Sequence, residues 1–194
     1  MARTLAFDSS SVVKNARSVF WAKGFEAASI PELEAATGLS RSSIYNTFGS
    51  KRGLFDAAVQ SYLDEIVRPR LQPLTADHVE SNALIKYLDG LNSVFSQPDA
   101  LPTSNGCLLI NTANSPLSTD SHVSKVIQAY REELEAAFNR GIHASRSGLD
   151  PIVQQRLAST VTGLVIAAFA LVRIAPAQAR TLLEDAKTLV TCER

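Results

Sequence analysis

Hydrogen-bonding side chains dominate the stretch TGLSRSSIYNTFGSK, which covers residues 37–51. Between its two glycines the stretch is long enough for a two-turn helix. From Ser40 to Phe48, however, the large apolar residues are Ile44, Tyr45 and Phe48, and the others are serine, arginine, asparagine and threonine. Such a helix has a narrow apolar stripe. Its outer face therefore meets either water or a partner that exchanges hydrogen bonds with it.

Two short helices joined by a tight turn position these side chains. Ser29 is the predicted N-cap of the first helix, and Glu32 completes a capping box with it. We predict helices over residues 30–36 and 41–47, with Gly38 in the turn between them. The arrangement is the helix-turn-helix pattern, in which two helices cross at a steep angle. Its packing residues are Ile30, Leu33, Ala36, Leu39 and Ile44.

DNA is the partner that this pattern predicts. In a helix-turn-helix the outer face of the second helix enters the major groove, which requires small and polar side chains there. Serines permit a close approach, Arg41 can donate two hydrogen bonds to guanine, and Asn46 can bond a base edge or a phosphate. For the segment alone, a solvated surface helix is the alternative.

The residues around this segment match a long family pattern. The run FEAASIPELEAATGLSRSSIYNTFGSKRGLF covers residues 25–55 and is preceded by NARSVFWAKG at 15–24. Together they resemble the N-terminal domain of the tetracycline-repressor (TetR) family of bacterial transcription regulators, over about the first quarter of the chain. The family pattern G-x-S-x-x-x-apolar-Y-x-x-F-x-S-K is matched by Gly38, Ser40, Ile44, Tyr45, Phe48, Ser50 and Lys51.

The resemblance implies roles for individual residues. In the family the tyrosine and the lysine hold DNA phosphates, and the start of the third helix reads bases. Tyr45 and Lys51 are accordingly expected to contact phosphates, and Arg41 and Ser42 to read bases. The complete predicted DNA-binding set is Ser29, Ser40, Arg41, Ser42, Ser43, Tyr45, Asn46, Thr47 and Lys51.

Two positions depart from the family. Thr47 stands where an aromatic residue or histidine is common, and Ala28 stands where helix 2 often begins with threonine. Each change is expected to remove or shorten one phosphate contact.

Composition and charge limit the class of protein. Nineteen basic and nineteen acidic side chains cancel, so no whole-protein field attracts polyanions. Residues 1–55 nevertheless hold seven basic and four acidic side chains, a net charge of +3, which favours a basic head on an acidic body. The 45% hydrophobic content supports a sizeable core. The N-terminus MARTLAFDSSS lacks the apolar run of a secretion signal, so we expect a cytoplasmic protein.

Metal, cofactor and enzyme chemistry are not indicated. Cys107 and Cys192 form no C-x-x-C pair, and His78, His122 and His143 are isolated in sequence. There is no phosphate-cradling glycine loop and no G-x-S-x-G elbow. We therefore expect no metal, no cofactor and no enzyme. Two alternatives stay open, a cysteine-dependent enzyme with Cys107 as nucleophile and a helical interaction module that does not bind DNA.

Helical periodicity continues through the rest of the chain, and no segment has the pattern of a strand. We predict an all-α fold of about nine helices, with a three-helix DNA-binding domain at residues 1–52. Helix 4, at about 50–68, connects this domain to a ligand-binding and dimerisation domain at residues 53–194. Asp8 to Ser10 offer N-caps for the first helix, and prolines 69 and 73 are expected to stop the fourth. The later helices are predicted at 77–96, 106–114, 120–145, 151–173 and 176–191.

The penultimate helix is apolar almost all round. Its most apolar stretch, residues 161–175, is shorter than the roughly 20 residues of a membrane span and contains Arg173, so no membrane helix is expected. The resemblance implies a homodimer formed through the last two long helices, and an intramolecular core helix is the alternative. The predicted interface residues are Leu157, Val161, Leu164, Val165, Ala168 and Leu171.

The segment SNGCLLINTANSP (104–116) resembles a G-C-L motif of one branch of the family, some members of which respond to reactive electrophiles or small unsaturated acids. Cys107 stands at a predicted helix start, where free N–H groups favour a thiolate, and Arg173 could approach it. Cys107 is either a sensing thiol or a packing residue of a pocket wall, and Cys192 is expected to be inert. The candidate ligand-binding or sensing residues are Cys107, Arg173, Tyr62 and Tyr130. The chain is thus expected to be a homodimeric repressor of a near-palindromic double-stranded DNA operator, released by a small-molecule or electrophile effector.

Overall fold

Helices make up the regular structure of residues 9–192, the part of the chain that this computed structural model describes. The N-cap predicted at Asp8 lies outside these residues. Gly24 has a φ of 78° and breaks the regular path of the first helix. The first four helices are α1 (Ser9–Ala27), α2 (Ile30–Thr37), α3 (Arg41–Phe48) and α4 (Lys51–Tyr62).

Of the described residues, those from Ser9 to Val67 form one compact unit. Its core is aromatic: the ring of Phe55 on α4 lies 5.2 Å from that of Phe20 and 5.3 Å from that of Phe25. Arg17 on α1 donates hydrogen bonds to the hydroxyl and carbonyl oxygens of Ser61, at 2.8 and 3.0 Å. Because α4 packs so closely on α1, the compact unit extends beyond the predicted boundary at residue 52.

The fourth helix does not stop at its prolines. A π-helical turn, Leu63–Val67, carries the helical backbone from α4 into α5 (Arg68–Thr75). Pro69 and Pro73 both lie within this continuous helical path, and each lacks the N–H that would bond the preceding turn. The prediction that these prolines end the helix was therefore wrong.

The second compact unit begins at Arg68. After α5 its elements are α6 (Ala83–Phe95), α7 (Leu101–Asn105), α8 (Leu108–Ala113), a 3₁₀ turn (Pro116–Thr119), α9 (Ser121–Ser145), α10 (Pro151–Leu171) and α11 (Pro176–Thr191). With residues 51–75 counted as one helix and the five-residue α7 set aside, residues 9–192 hold nine α-helices. The all-α prediction is confirmed.

The core of the second unit lies between α10, α9 and α11, with α6 and α5 closing its other side. Leu84, Leu134, Phe138 and Leu183 are completely buried there. Gly141 on α9 allows a close approach, because a Cβ atom at this position would lie 2.7 Å from a methyl carbon of Leu74. Among residues 9–192, α10 is the one helix long and apolar enough to cross a membrane by length and composition. About 33% of its apolar 18-residue window is buried inside the chain, where α10 packs against α9 and α11.

Candidate nucleic-acid interface and effector cavity

A capping box fixes the start of α2. The carboxylate of Glu32 accepts the backbone N–H of Ser29 at 2.9 Å, and the Ser29 hydroxyl accepts the N–H of Glu32 at 3.4 Å. Lys23 on α1 also forms an ion pair with Glu32. Hydrogen bonds from Lys23 and then from Ser29 lower the pKa of Glu32 from 4.5 to about 2. The first helix of the pair is thus held to α1 by a group that stays ionised.

Serines organise the start of α3. The Ser40 hydroxyl caps the helix by accepting the N–H of Ser43 at 3.2 Å. The same oxygen lies 2.9 Å from the Ser42 hydroxyl and 3.0 Å from that of Ser43. Ile44 is completely buried and anchors the inner face of α3. The first turn of α3 is therefore held in place while its outer face remains free of apolar cover.

The outer face of α3 is exposed and polar. Arg41, Ser42, Tyr45, Asn46 and Thr47 are all exposed. The guanidinium of Arg41 packs over the Tyr45 ring. The backbone N–H of Arg41 also donates a hydrogen bond to the carboxylate of Glu34 on α2. Small and hydrogen-bonding side chains in this arrangement can approach base edges in a major groove.

Lys51 stands at the start of α4, close to the end of α1. Its ammonium nitrogen lies 4.6 Å from the centre of the Phe25 ring and 3.5 Å from the carbonyl oxygen of Glu26. Ser29, at the start of α2, is exposed. Ala28, which departs from the family pattern, is completely buried in the first unit.

The structure differs from the predicted dimer surface at three residues. Val161, Val165 and Ala168 are completely buried within the chain, so they cannot face a second copy. Leu157, Leu164 and Leu171 are half-buried. An all-round apolar helix has two candidate faces, and periodicity alone does not say which one the chain itself covers. The exposed positions on or just after α10 include Thr160, Gly163, Ala170 and Ile174.

A cavity of about 540 Å³ lies between α5 and α6. The Tyr87 side chain is half-buried, and burial raises the pKa of its hydroxyl, against the opposing effect of the Arg70 guanidinium. Lys86 and Gly90 also line the space. The apolar wall is formed by Pro69, Pro73, Leu74, Ala83, Leu91 and Val94.

The predicted sensing residues are not in that lining. Cys107 is completely buried, and its sulfur lies 3.5 Å from the hydroxyl oxygen of Tyr130. Tyr62 lies in the core of the first unit, with its ring 5.1 Å from that of Trp21. Arg173 is exposed and runs beside the backbone preceding Cys107. Within residues 9–192, no hydrogen bond or ion pair joins Arg173 to Cys107.

Sequence reasoning missed Arg70, Lys86, Tyr87 and Gly90. The available signal was Gly90, a glycine in the middle of a strongly periodic helix, where it lowers helix stability.

Among the residues that the structure describes, no group of three or more histidine, cysteine, aspartate or glutamate side chains is placed to hold a metal ion.

A helix-turn-helix whose second helix is exposed and polar, followed by a helical unit with a cavity, defines a ligand-responsive DNA-binding transcription regulator. The sequence model described as "Bacterial regulatory proteins, tetR family" matches residues 12–58. The chain belongs to the TetR family, whose members are regulators and not enzymes.

Known proteins share both the sequence and the fold. The chain is 30% identical over 143 residues to YezE, an uncharacterised HTH-type transcriptional regulator of Bacillus subtilis (strain 168), across 73% of this chain and 72% of the relative. It is 34% identical over 121 residues to the HTH-type transcriptional repressor ComR of Escherichia coli (strain K12), across 61% of this chain and 55% of the relative. A cysteine mutant of the TetR family regulator CifR, complexed with 26-base-pair operator DNA, superposes with a TM-score of 0.77 at 25% identity, covering 98% of this chain and 100% of that chain.

Proposed function

We propose that two copies of this chain form a homodimer that represses transcription by binding a near-palindromic operator, and that a small molecule in the α5–α6 cavity releases it. The observation that carries the proposal is the outer face of α3, where the predicted base readers Arg41 and Ser42 are exposed beside Tyr45 on a capped helix. Such a protein acts in the cytoplasm, where it meets chromosomal DNA.

The relatives support the proposal of a repressor that binds operator DNA. ComR is a repressor, and CifR has been solved on double-strand operator DNA. On this chain the expected base readers are Arg41 and Ser42, with Asn46 beside them. Tyr45 and Lys51 are the expected phosphate contacts, as the family pattern implies. Such contacts orient the protein on the duplex and do not read the base sequence.

We expect a homodimer because the two-fold symmetry of such a dimer matches that of a near-palindromic operator. Two recognition helices about 34–36 Å apart reach two successive major grooves, which requires an inverted repeat in the DNA. The exposed side of α10, with the small residues Gly163 and Ala170, suits close packing against the same surface of a second copy. We therefore assign the dimer contact to this side of α10 together with α11.

Release by an effector requires differential affinity. A ligand shifts the population only if it binds more tightly to the conformation that does not fit DNA. The α5–α6 cavity is the candidate site, because its volume of about 540 Å³ falls in the range of small-molecule pockets.

The test is selection of genomic DNA fragments by the purified protein, followed by fluorescence anisotropy at several salt concentrations. The expected result is an inverted-repeat site bound at least about 10³-fold more tightly than scrambled DNA of equal length, with affinity falling steeply as salt rises. Equal affinity for the selected and the scrambled DNA would contradict the proposal.

A further inference from the structure

The wall of the α5–α6 cavity includes a glycine of α6. Gly90 lies well inside α6, where glycine lowers helix stability relative to alanine. A Cβ atom built there would have no heavy atom of the described chain within 4 Å. Packing inside the chain therefore does not demand this glycine, in contrast to Gly141, where Leu74 leaves no room. The absence of a side chain leaves open space at this part of the cavity wall.

Two basic side chains flank this space. Arg70 on α5 and Lys86 on α6 line the cavity and are exposed. Within residues 9–192, neither side chain forms a hydrogen bond or an ion pair. The nearby Arg68 is engaged, with its guanidinium 3.1 Å from Glu133. Cations left unpaired beside an apolar wall provide a binding place for an anionic group.

The one carboxylate in the lining does not cancel this charge. Glu80 is highly exposed, and its carboxylate lies 3.5 Å from the imidazole of His78. Arg70 and Lys86 together outweigh it. Tyr87 adds a neutral hydroxyl to the wall, and burial raises the pKa of this group further above neutral pH.

We propose that this cavity binds a small amphipathic organic anion, with its apolar body against Leu74, Leu91 and Val94 and its anionic group between Arg70 and Lys86. The inference rests on the proposed function, because it names the chemical class of the effector. The cavity is open to solvent on the side of the two cations, so their contribution is moderated by water.

The direct test compares three probes that share an eight-carbon chain, namely octanoate, 1-octanol and octylammonium. Isothermal titration calorimetry at neutral pH measures their affinity for the full-length protein. We expect octanoate to bind about tenfold more tightly than 1-octanol, and octylammonium to bind most weakly, since only the carboxylate finds a charge partner.

Variants locate the site. Arg70→Ala and Lys86→Ala should each weaken octanoate binding several-fold and leave 1-octanol binding unchanged. The matched control is Lys125→Ala, which removes an exposed cation from α9, away from the cavity. Gly90→Phe should fill the space and abolish binding of octanoate and 1-octanol alike, and Gly90→Ala shows whether position 90 tolerates a side chain without loss of folding.

The outcomes separate this inference from the proposed function. Any of three outcomes overturns the proposal that the cavity binds an organic anion. They are equal binding of octanoate and 1-octanol, no octanoate binding at all, and octanoate binding that is insensitive to Arg70→Ala and Lys86→Ala. Operator anisotropy is measured on the same samples. Octanoate binding at this cavity in a protein that fails to select an operator supports the inference and contradicts the proposed function.

Discussion

The guanidinium carbon of Arg41 lies 5.5 Å from the centre of the Tyr45 ring, one turn further along α3. The two residues belong to different predicted roles, base reading and phosphate binding, but the structure joins them in a cation–π pair. The pair restrains a long side chain before DNA is bound, which reduces the entropy lost on binding. Arg41 is therefore expected to depend on the Tyr45 ring as well as on its own hydrogen bonds.

Arg41→Ala should weaken operator binding by about 1–3 kcal/mol and relax the preference at one base pair in each half-site. The reason is the loss of a two-pronged contact to a guanine. Anisotropy titrations against operators substituted at each position measure both effects.

Two controls distinguish the roles. Tyr45→Phe keeps the ring over which Arg41 packs and removes the hydroxyl, so it should weaken operator and scrambled DNA by a similar factor. Lys51→Ala should do the same, with a smaller salt dependence. Unchanged affinity and unchanged base preference in Arg41→Ala would exclude base reading by this residue.

Local signals predicted the helix-turn-helix well. The predicted helices at 30–36 and 41–47 compare with Ile30–Thr37 and Arg41–Phe48 in the structure, because serine N-caps and the left-handed glycines act within a few residues. The cavity and the exposed side of α10 were not predicted. Both depend on which distant helix covers which face, and a single sequence without its packing partners does not contain that information in any local pattern.

Gly163→Arg should convert the protein to a monomer. A Cβ atom at Gly163 meets no heavy atom of the described chain within 4 Å, so the single chain can fold around the arginine, but a second copy packed on this side of α10 cannot. Operator affinity should fall by about 10²-fold or more, because two linked half-sites become independent. Sedimentation velocity and anisotropy measure the two effects.

The matched control is Ala136→Arg, which adds the same charge at an exposed position of α9. It should remain dimeric and bind the operator. A Gly163→Arg protein that sediments as a dimer at micromolar concentration would place the interface elsewhere.

The capping box of α2 should make stability depend on pH. The pKa of Glu32 is lowered in the folded chain from 4.5 to about 2, so its ionised form favours folding above the unfolded pKa, and this contribution is lost as pH falls from about 4.5 towards 2. Glu32→Gln should therefore melt at a lower temperature than the wild type at pH 7, with a difference that shrinks across that window. The effect should be modest and weaker in high salt, because the site is exposed.

Circular dichroism melts at pH 7 and pH 3 measure this difference. Glu132→Gln, at an exposed position of α9, controls for the loss of one negative charge. A difference between Glu32→Gln and wild type that is the same at both pH values would show that the carboxylate does not act through its ionisation.

The two cysteines should react with thiol reagents at very different rates. Cys192 is exposed and Cys107 is completely buried, with its sulfur beside the Tyr130 hydroxyl. The burial of Cys107 favours the packing role over sensing, because a thiol must be accessible to attack an electrophile. When native protein is treated with a colorimetric disulfide reagent, Cys192 should release one equivalent of the chromophore quickly. Cys107 should release the second equivalent only when the second unit opens or in denaturant.

The consequence for regulation is measured on the operator complex. Methyl acrylate, at concentrations that alkylate Cys192, should leave wild type and Cys107→Ser equally bound to DNA, and Cys192→Ser should behave in the same way. Release of the wild type together with retention of Cys107→Ser would instead make Cys107 the sensor. That result would require an opening of the second unit that exposes the buried sulfur on the timescale of the reaction, and hydrogen exchange of the α8 amides would then detect it.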